Sequence, residues 1–366
     1  MSRELISAIL LILSTALALF ASNSPLQPLY ETWLGASYGG LSTQHWINDG
    51  LMAVFFLVVG LEIRHEFTHG RLNTLKKAAL PAWAALGGMI GPALIYLAFT
   101  ASTPAARGWG IPMATDIAFA LGVLALLGKR VSPVLKVFLT ALAIIDDLGA
   151  ILVIAVVYTS TLDWMSLAIG IALLVAFTGV RKFHLFRSYA PIALFGAGVW
   201  FCFLHSGVHA TIAGVLLACV IPQERVVPLQ AKLTPLVNFL IMPIFAFANA
   251  GVSFNSTSTG LDHSTFLGVF AGLVLGKQIG IPLFAWIAVK LRLAELPDSL
   301  TWRDVYGLAW LGGIGFTMSL LIGGLAFSDP TLLQTTKTAV LSASLLSAAG
   351  GLLILSRSRR NSQISN

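Results

Sequence analysis

Charge is scarce in this sequence. Asp, Glu, Lys and Arg make up only 10% of its 366 residues and hydrophobic residues 57%, whereas a soluble domain is roughly a quarter charged. A water-soluble enzyme or binding module is excluded on that balance, and a membrane-embedded chain is indicated. Cysteine is scarcer still. Cys202 and Cys219 sit in separate apolar stretches without metal-ligand spacing, and both read as reduced packing residues. The net charge of +7 comes from basic residues spread through short segments between apolar runs. They form no stripe, which argues for membrane topology and against a nucleic-acid partner.

Long apolar runs are what the sequence has instead. They fall near 5–21, 46–66, 78–99, 109–127, 133–159, 164–180, 189–204, 207–221, 234–252, 266–289, 304–327 and 335–356. This predicts an all-α polytopic membrane protein with about 12 transmembrane helices in a single domain, 1–366. Runs 189–204 and 207–221 are shorter than the roughly 20 residues of a simple crossing and read as tilted, short or partly re-entrant. The first run reads as a retained helix, with a cleaved signal peptide as the competing reading. With the N-terminus placed in the cytoplasm, 19 of the 22 Lys and Arg fall on the cytoplasmic side. Arg107 and Lys337 face the other side, and Lys277 lies within a span. Such alternation predicts that both termini are cytoplasmic. Residues 23–43 form the longest external loop. There Tyr30, Thr32, Trp33 and Leu34 either pair as a short hairpin around the glycines or belong to an irregular interfacial segment.

Two adjacent carboxylates, Asp146 and Asp147, interrupt the run 133–159. As a helix it places them roughly 15 Å beyond Lys136, near the middle of a bilayer core about 30 Å thick. An ionised aspartate at that depth costs about 2.5–3.5 kcal/mol, so intramembrane acids face a cavity or a partner and mark ion or proton paths. Neighbouring like charges raise at least one pKa and opposing cations lower it, which suits exchange of protons for a metal cation. The competing reading is an acid pair neutralised by basic neighbours for structural reasons. Lys277, with about ten apolar residues on each side, needs an acid or carbonyl dipoles, and Asp146 or Asp147 is the evident acid.

Two runs are interrupted. Gly110–Gly122 contains Pro112 and, four residues on, Asp116, which has no partner in sequence; residues 312–319 carry a glycine-rich counterpart, Gly-Gly-Ile-Gly-Phe-Thr-Met-Ser. Proline removes a backbone donor and breaks the helix, and paired interruptions in two halves of a transporter point to its binding site. Weak similarity between 86–92 and 275–282 suggests inverted-topology repeats near 78–159 and 266–356. Glu62 and Glu66 lie one turn apart with Arg64 and His65 between them; this is either an ordinary charged helix end or a group that titrates near neutrality. His205 and His209 have metal-ligand spacing but no accompanying glutamate, so a zinc hydrolase is a poor reading, and His209 reads as a packing residue.

Taken in order, Val59-Gly-Leu-Glu-Ile, Ala114-Thr-Asp-Ile-Ala-Phe-Ala-Leu-Gly, Leu142-Ala-Ile-Ile-Asp-Asp-Leu-Gly-Ala, Ser206-Gly-Val-His-Ala-Thr, Phe245-Ala-Phe-Ala-Asn-Ala-Gly-Val, Leu275-Gly-Lys and Gly313-Ile-Gly-Phe-Thr-Met-Ser resemble the NhaA-type sodium/proton antiporter family. The resemblance implies two interrupted helices crossing at mid-membrane, with Asp147 as the main Na+ ligand and Asp146 paired with Lys277. It further implies Asp116 with Thr115 at the crossing, where they compensate half-helix ends, and Glu62 and Glu66 in a cytoplasmic funnel linked to pH response. Two departures bear on the pH at which transport switches on: His65 stands where the pattern has Arg, and Gln230, Ala231 and Thr234 stand where some members carry an acid and histidines.

The expected activity is electrogenic, pH-regulated export of Na+ or Li+ in exchange for H+, by alternating access, in a bacterial inner membrane. No cofactor and no enzymatic chemistry are expected. The expected partners are Na+, Li+, H+ and the lipid bilayer, and a homodimer is compatible with the sequence. The alternative is a proton- or sodium-coupled symporter of another small solute, which would need a larger polar cavity; a channel could use the same broken helices. An intramembrane aspartyl protease would need its acids on separate helices, one in a Gly-x-Gly-Asp setting that is absent.

Overall fold

The computed structural model describes residues 2–70, 74–128, 131–159, 161–180, 189–254 and 260–358. Arg71, Lys129, Arg130, Arg181, Lys182, Arg187, Arg359 and Arg360, on which part of the topology reading rests, lie outside the described residues. Among the described residues, seven helices are long and apolar enough to cross a membrane, or up to nine if each of two bent pairs is one span. Run 164–180 gives Trp164–Val180, and the two short runs give Ala190–Ser206 and the nine-residue Ile212–Val220, the last far short of a bilayer at 1.5 Å per residue.

By contacts the chain divides into two compact units. The first comprises Met1–Gln27, Arg71–Ala150 and Asn249–Asn366. It holds α1 (Arg3–Ser22), α4 (Leu75–Thr100), a 3-10 segment (Pro104–Met113), α5 (Ile117–Ala125) and most of α6 (Pro133–Val157). It also holds α11 (His263–Lys290), α12 (Trp302–Gly312), α13 (Phe316–Ala326) and α14 (Pro330–Ser358). Its tightest packing sets α4 against the second half of α11. A Cβ on Gly280 would stand 2.0 Å from the Gly87 carbonyl oxygen, and one on Gly87 would stand 2.1 Å from that of Gly280. Small residues let backbones approach where lipid supplies no hydrophobic drive between helices.

The second unit, Pro28–Gly70 and Ile151–Ala248, includes α3 (Thr43–Thr68), α7 (Trp164–Val180), α8 (Ala190–Ser206), α9 (Ile212–Val220) and α10 (Gln223–Asn249). Leu61, Phe177, Ile192, Leu217, Ala218 and Val226 form its core.

The loop after α1 differs from both sequence readings. Tyr30, Thr32, Trp33 and Leu34 lie in a helix, α2 (Gln27–Gly35), where the Tyr30 hydroxyl donates to Phe247 O at 2.7 Å. The hairpin comes later, with Ser37 opposite Ser42 and Tyr38 opposite Leu41. Gly39 and Gly40 both have positive φ, 60° and 86°, as a two-residue hairpin turn requires. The all-α expectation therefore needs this small exception. Cys219 is exposed on its helix, so the packing reading fails for that residue: it lies on the outer side of an apolar helix.

Gly280→Ala would force a methyl onto the Gly87 carbonyl. The expected destabilisation is about 1–3 kcal/mol, seen as a lower thermal unfolding midpoint of the purified protein in detergent; an unchanged midpoint would show that this contact is slack.

Candidate ion-binding site at the helix interruptions

Both sequence interruptions are breaks in the first unit. The 3-10 segment and α5 are bent by 42°, and α12 and α13 by 46°. Each break exposes backbone polar groups that lipid cannot satisfy, and here the breaks satisfy one another. The Asp116 N–H donates to Ile314 O at 2.7 Å, and the Thr115 hydroxyl donates to Gly312 O at 2.8 Å.

Asp116 is the N-cap of α5, with Oδ1 accepting from Phe119 N at 2.9 Å. Its Oδ2 accepts from the Thr317 N–H at 3.1 Å and from the Thr317 hydroxyl. One carboxylate thus meets the positive ends of two half-helices. The sequence leaves Asp116 without a partner because these donors lie about two hundred residues away along the chain. Thr317 is a site residue that sequence reasoning missed; its signal is a hydroxyl directly after the glycine-rich break.

Lys277 is fully buried. Its ammonium donates to Asp146 Oδ2 at 2.9 Å, to Thr115 Oγ1 at 3.0 Å and to the Met113 carbonyl. Met113 ends the 3-10 segment, so the cation faces a negative half-helix end as well as a carboxylate. Three donors meeting three acceptors account for a lysine that apolar surroundings would otherwise expel.

A π-helical stretch, Gly272–Gly276, leads directly into Lys277. A Cβ on Gly272 would reach Pro112 at 2.7 Å, and one on Gly276 would reach Pro92 at 2.5 Å. The helix therefore widens around two prolines, and such bulges recur at functional sites. Nothing in the apolar sequence marks it.

Asp147 is as buried as Asp146, at 2% and 1% exposure. Asp146 Oδ1 has no hydrogen-bond partner among the described residues. Thr115, Asp116, Asp146, Asp147 and Lys277 all lie in the first unit.

Glu62, His65 and Glu66 lie in the second unit, half-buried on α3. His65 stacks on His69 with centroids 6.4 Å apart. Arg64 caps the end of α9, donating to Ala218 O at 2.9 Å and to Ile221 O. His209, read as a packing residue, also has its Nε2 3.3 Å from Asp49 Oδ1. Asp49 carried no signal in the sequence.

Interrupted apolar helices that meet at buried carboxylates and a buried ammonium define a class: helical membrane proteins built to handle ions inside the bilayer. The chain belongs to the Na+/H+ antiporter 1 family, whose model matches residues 1–355. It is 50% identical to the Na+/H+ antiporter NhaA of Paramagnetospirillum magneticum over 98% of this chain and 96% of that one. Na+/H+ antiporter NhaA 2 of Pseudomonas syringae pv. syringae is 51% identical over 95% of this chain and 92% of its own. Na+/H+ antiporter NhaA 1 of Clostridium beijerinckii is 46% identical over the same shares.

Removing one partner of a buried ion pair strands the other. Asp146→Ala is expected to destabilise by roughly 3–5 kcal/mol, and Asp146→Ala with Lys277→Met by clearly less. Thermal unfolding of the purified variants measures both; equal losses in the single and double variants would contradict the pairing.

Proposed function

We propose that this protein exchanges Na+ or Li+ for H+ across the membrane at Asp146 and Asp147. The observation that carries the proposal is two adjacent carboxylates, both buried, in the same unit as the two helix interruptions. Asp146 pairs with Lys277, and Asp147 is assigned here as the main cation ligand. Na+ is hard and takes oxygen ligands; carboxylates and carbonyls freed at the breaks supply them. Protons compete for the same carboxylate oxygens.

In the proposed cycle Na+ binds deprotonated carboxylates in one access state, and protonation displaces it in the other. When Asp146 takes a proton, Lys277 keeps Thr115 and Met113 as acceptors, so the lysine can change partner without being stranded. Exchange of more than one proton per Na+ makes the process electrogenic, importing H+ and exporting Na+. Asp116 compensates the two positive half-helix ends in the conformation seen here. The interruptions would cross at mid-membrane, within inverted repeats near 78–159 and 266–356. Twelve spans, counting the short helices, put both termini in the cytoplasm of a cell whose inner membrane houses the protein, as a monomer or a homodimer. Glu62, His65 and Glu66 would set the pH range.

The test is Na+- and Li+-induced proton movement in everted membrane vesicles from about pH 6.5 to about pH 9. The parent is expected to dissipate a proton gradient on cation addition and Asp147→Asn to lose the response by at least roughly a hundredfold, as for loss of an essential group. A parent silent to both cations at every pH would overturn the proposal.

Exchange of His65 for Arg is expected to shift the pH profile of the response while leaving its maximum within about twofold, since it places a permanently charged guanidinium between Glu62 and Glu66. An unmoved profile would remove His65 from the pH response.

A further inference from the structure

Helix α14 runs antiparallel along both halves of the second broken helix. A Cβ on Gly307 would meet Leu355 at 2.4 Å, one on Gly350 the Trp310 ring at 2.1 Å, and one on Gly323 Thr336 at 2.8 Å. Residue numbers fall on α14 as they rise on α12 and α13, in nearly one register on both sides of the break. The unbroken helix splints the broken one.

At the break α14 presents two serines, three residues apart and so on one face. The Phe316 N–H donates to Ser344 Oγ at 3.1 Å. Phe316 opens α13, whose own N-cap is Gly315 and offers no side chain; Ser344 supplies the missing cap from the neighbouring helix. Ser347 lies against the break, since a Cβ on Gly313 would reach its Oγ at 2.6 Å. Yet Ser347 is fully buried and its hydroxyl has no hydrogen-bond partner among the described residues. A buried hydroxyl without a partner is unfavourable, so Ser347 is unfavourable in this conformation and would be satisfied in one where a half-helix end reaches it.

We propose that Ser344 and Ser347 are alternate seats for the N-terminal end of α13. Ser344 holds the present conformation, and Ser347 receives that end when the half-helix shifts along α14 during transport. The distance between the seats is about 4.5 Å along the axis, and shifts of packed helices by up to one turn are established two-state elements. Both serines are positioning residues: they act through Thr317, which α13 carries to Asp116. Displacing α13 therefore changes the compensation of that carboxylate. The inference rests on the antiport reading above.

The test compares Ser344→Ala and Ser347→Ala with the parent in everted vesicles, as maximal rate and apparent KM for Na+, alongside thermal unfolding in detergent. For Ser347→Ala a roughly tenfold lower maximal rate is expected, as for a slowed conformational step, with KM within about twofold and an unfolding midpoint no lower than the parent's. Ser344→Ala is expected to lower the midpoint and raise KM. Parent-like turnover in Ser347→Ala, or a rate loss accompanied by a lower midpoint, overturns the alternate-seat role. The parent separates the two levels: a silent parent sinks the antiport reading and this inference together, while an active parent with an active Ser347→Ala sinks this inference alone.

Discussion

A single buried ammonium imposes its requirements on the first unit. Lys277 is fully enclosed, and an uncompensated cation there would cost more than the protein's whole margin of stability. Its three acceptors come from different elements: a carboxylate on α6, a hydroxyl in the first break and the carbonyl that ends the 3-10 segment. The first break exists where that carbonyl and that hydroxyl are needed. The π-helical stretch before Lys277 and the close approach of α4 and α11 bring the lysine stem to them. Asp116 is the converse case, one anion shared between two positive half-helix ends. Charges and helix dipoles thus neutralise one another in a region where water cannot.

Asp147 brings a second buried carboxylate next to the one that Lys277 engages. In the proposed exchange a cation or a proton binds there. Competition between the two is the physical content of antiport, and the family membership and near full-length relatives fit that chemistry.

The parts legible in the sequence were those where polarity contradicts its surroundings. Asp146, Asp147 and Lys277 stand out in apolar runs, and Pro112 and the glycines of 312–315 mark the breaks. Helical spans follow from apolar length. What escaped depends on contacts distant in sequence or on ordinary-looking residues. Thr317 and Ser344 are unremarkable hydroxyls until the fold sets them against Asp116 and Phe316. The π-helical stretch has the composition of any apolar helix. The loop after α1 misled because Tyr30, Thr32 and Trp33 have strand-forming side chains, yet Tyr30 is anchored by Phe247 in helical form while Gly39 and Gly40 carry the turn. Asp49 and His209 are far apart in sequence and gave no joint signal.

The central claim is that a metal cation and protons share the same buried carboxylates. Calorimetric titration of the purified protein with Li+ or Na+, in buffers of different ionisation enthalpy, measures cation binding and proton release together. Cation binding is expected to expel protons, and the apparent affinity to strengthen as pH rises. Cation binding without proton release, and with an affinity indifferent to pH, would contradict it.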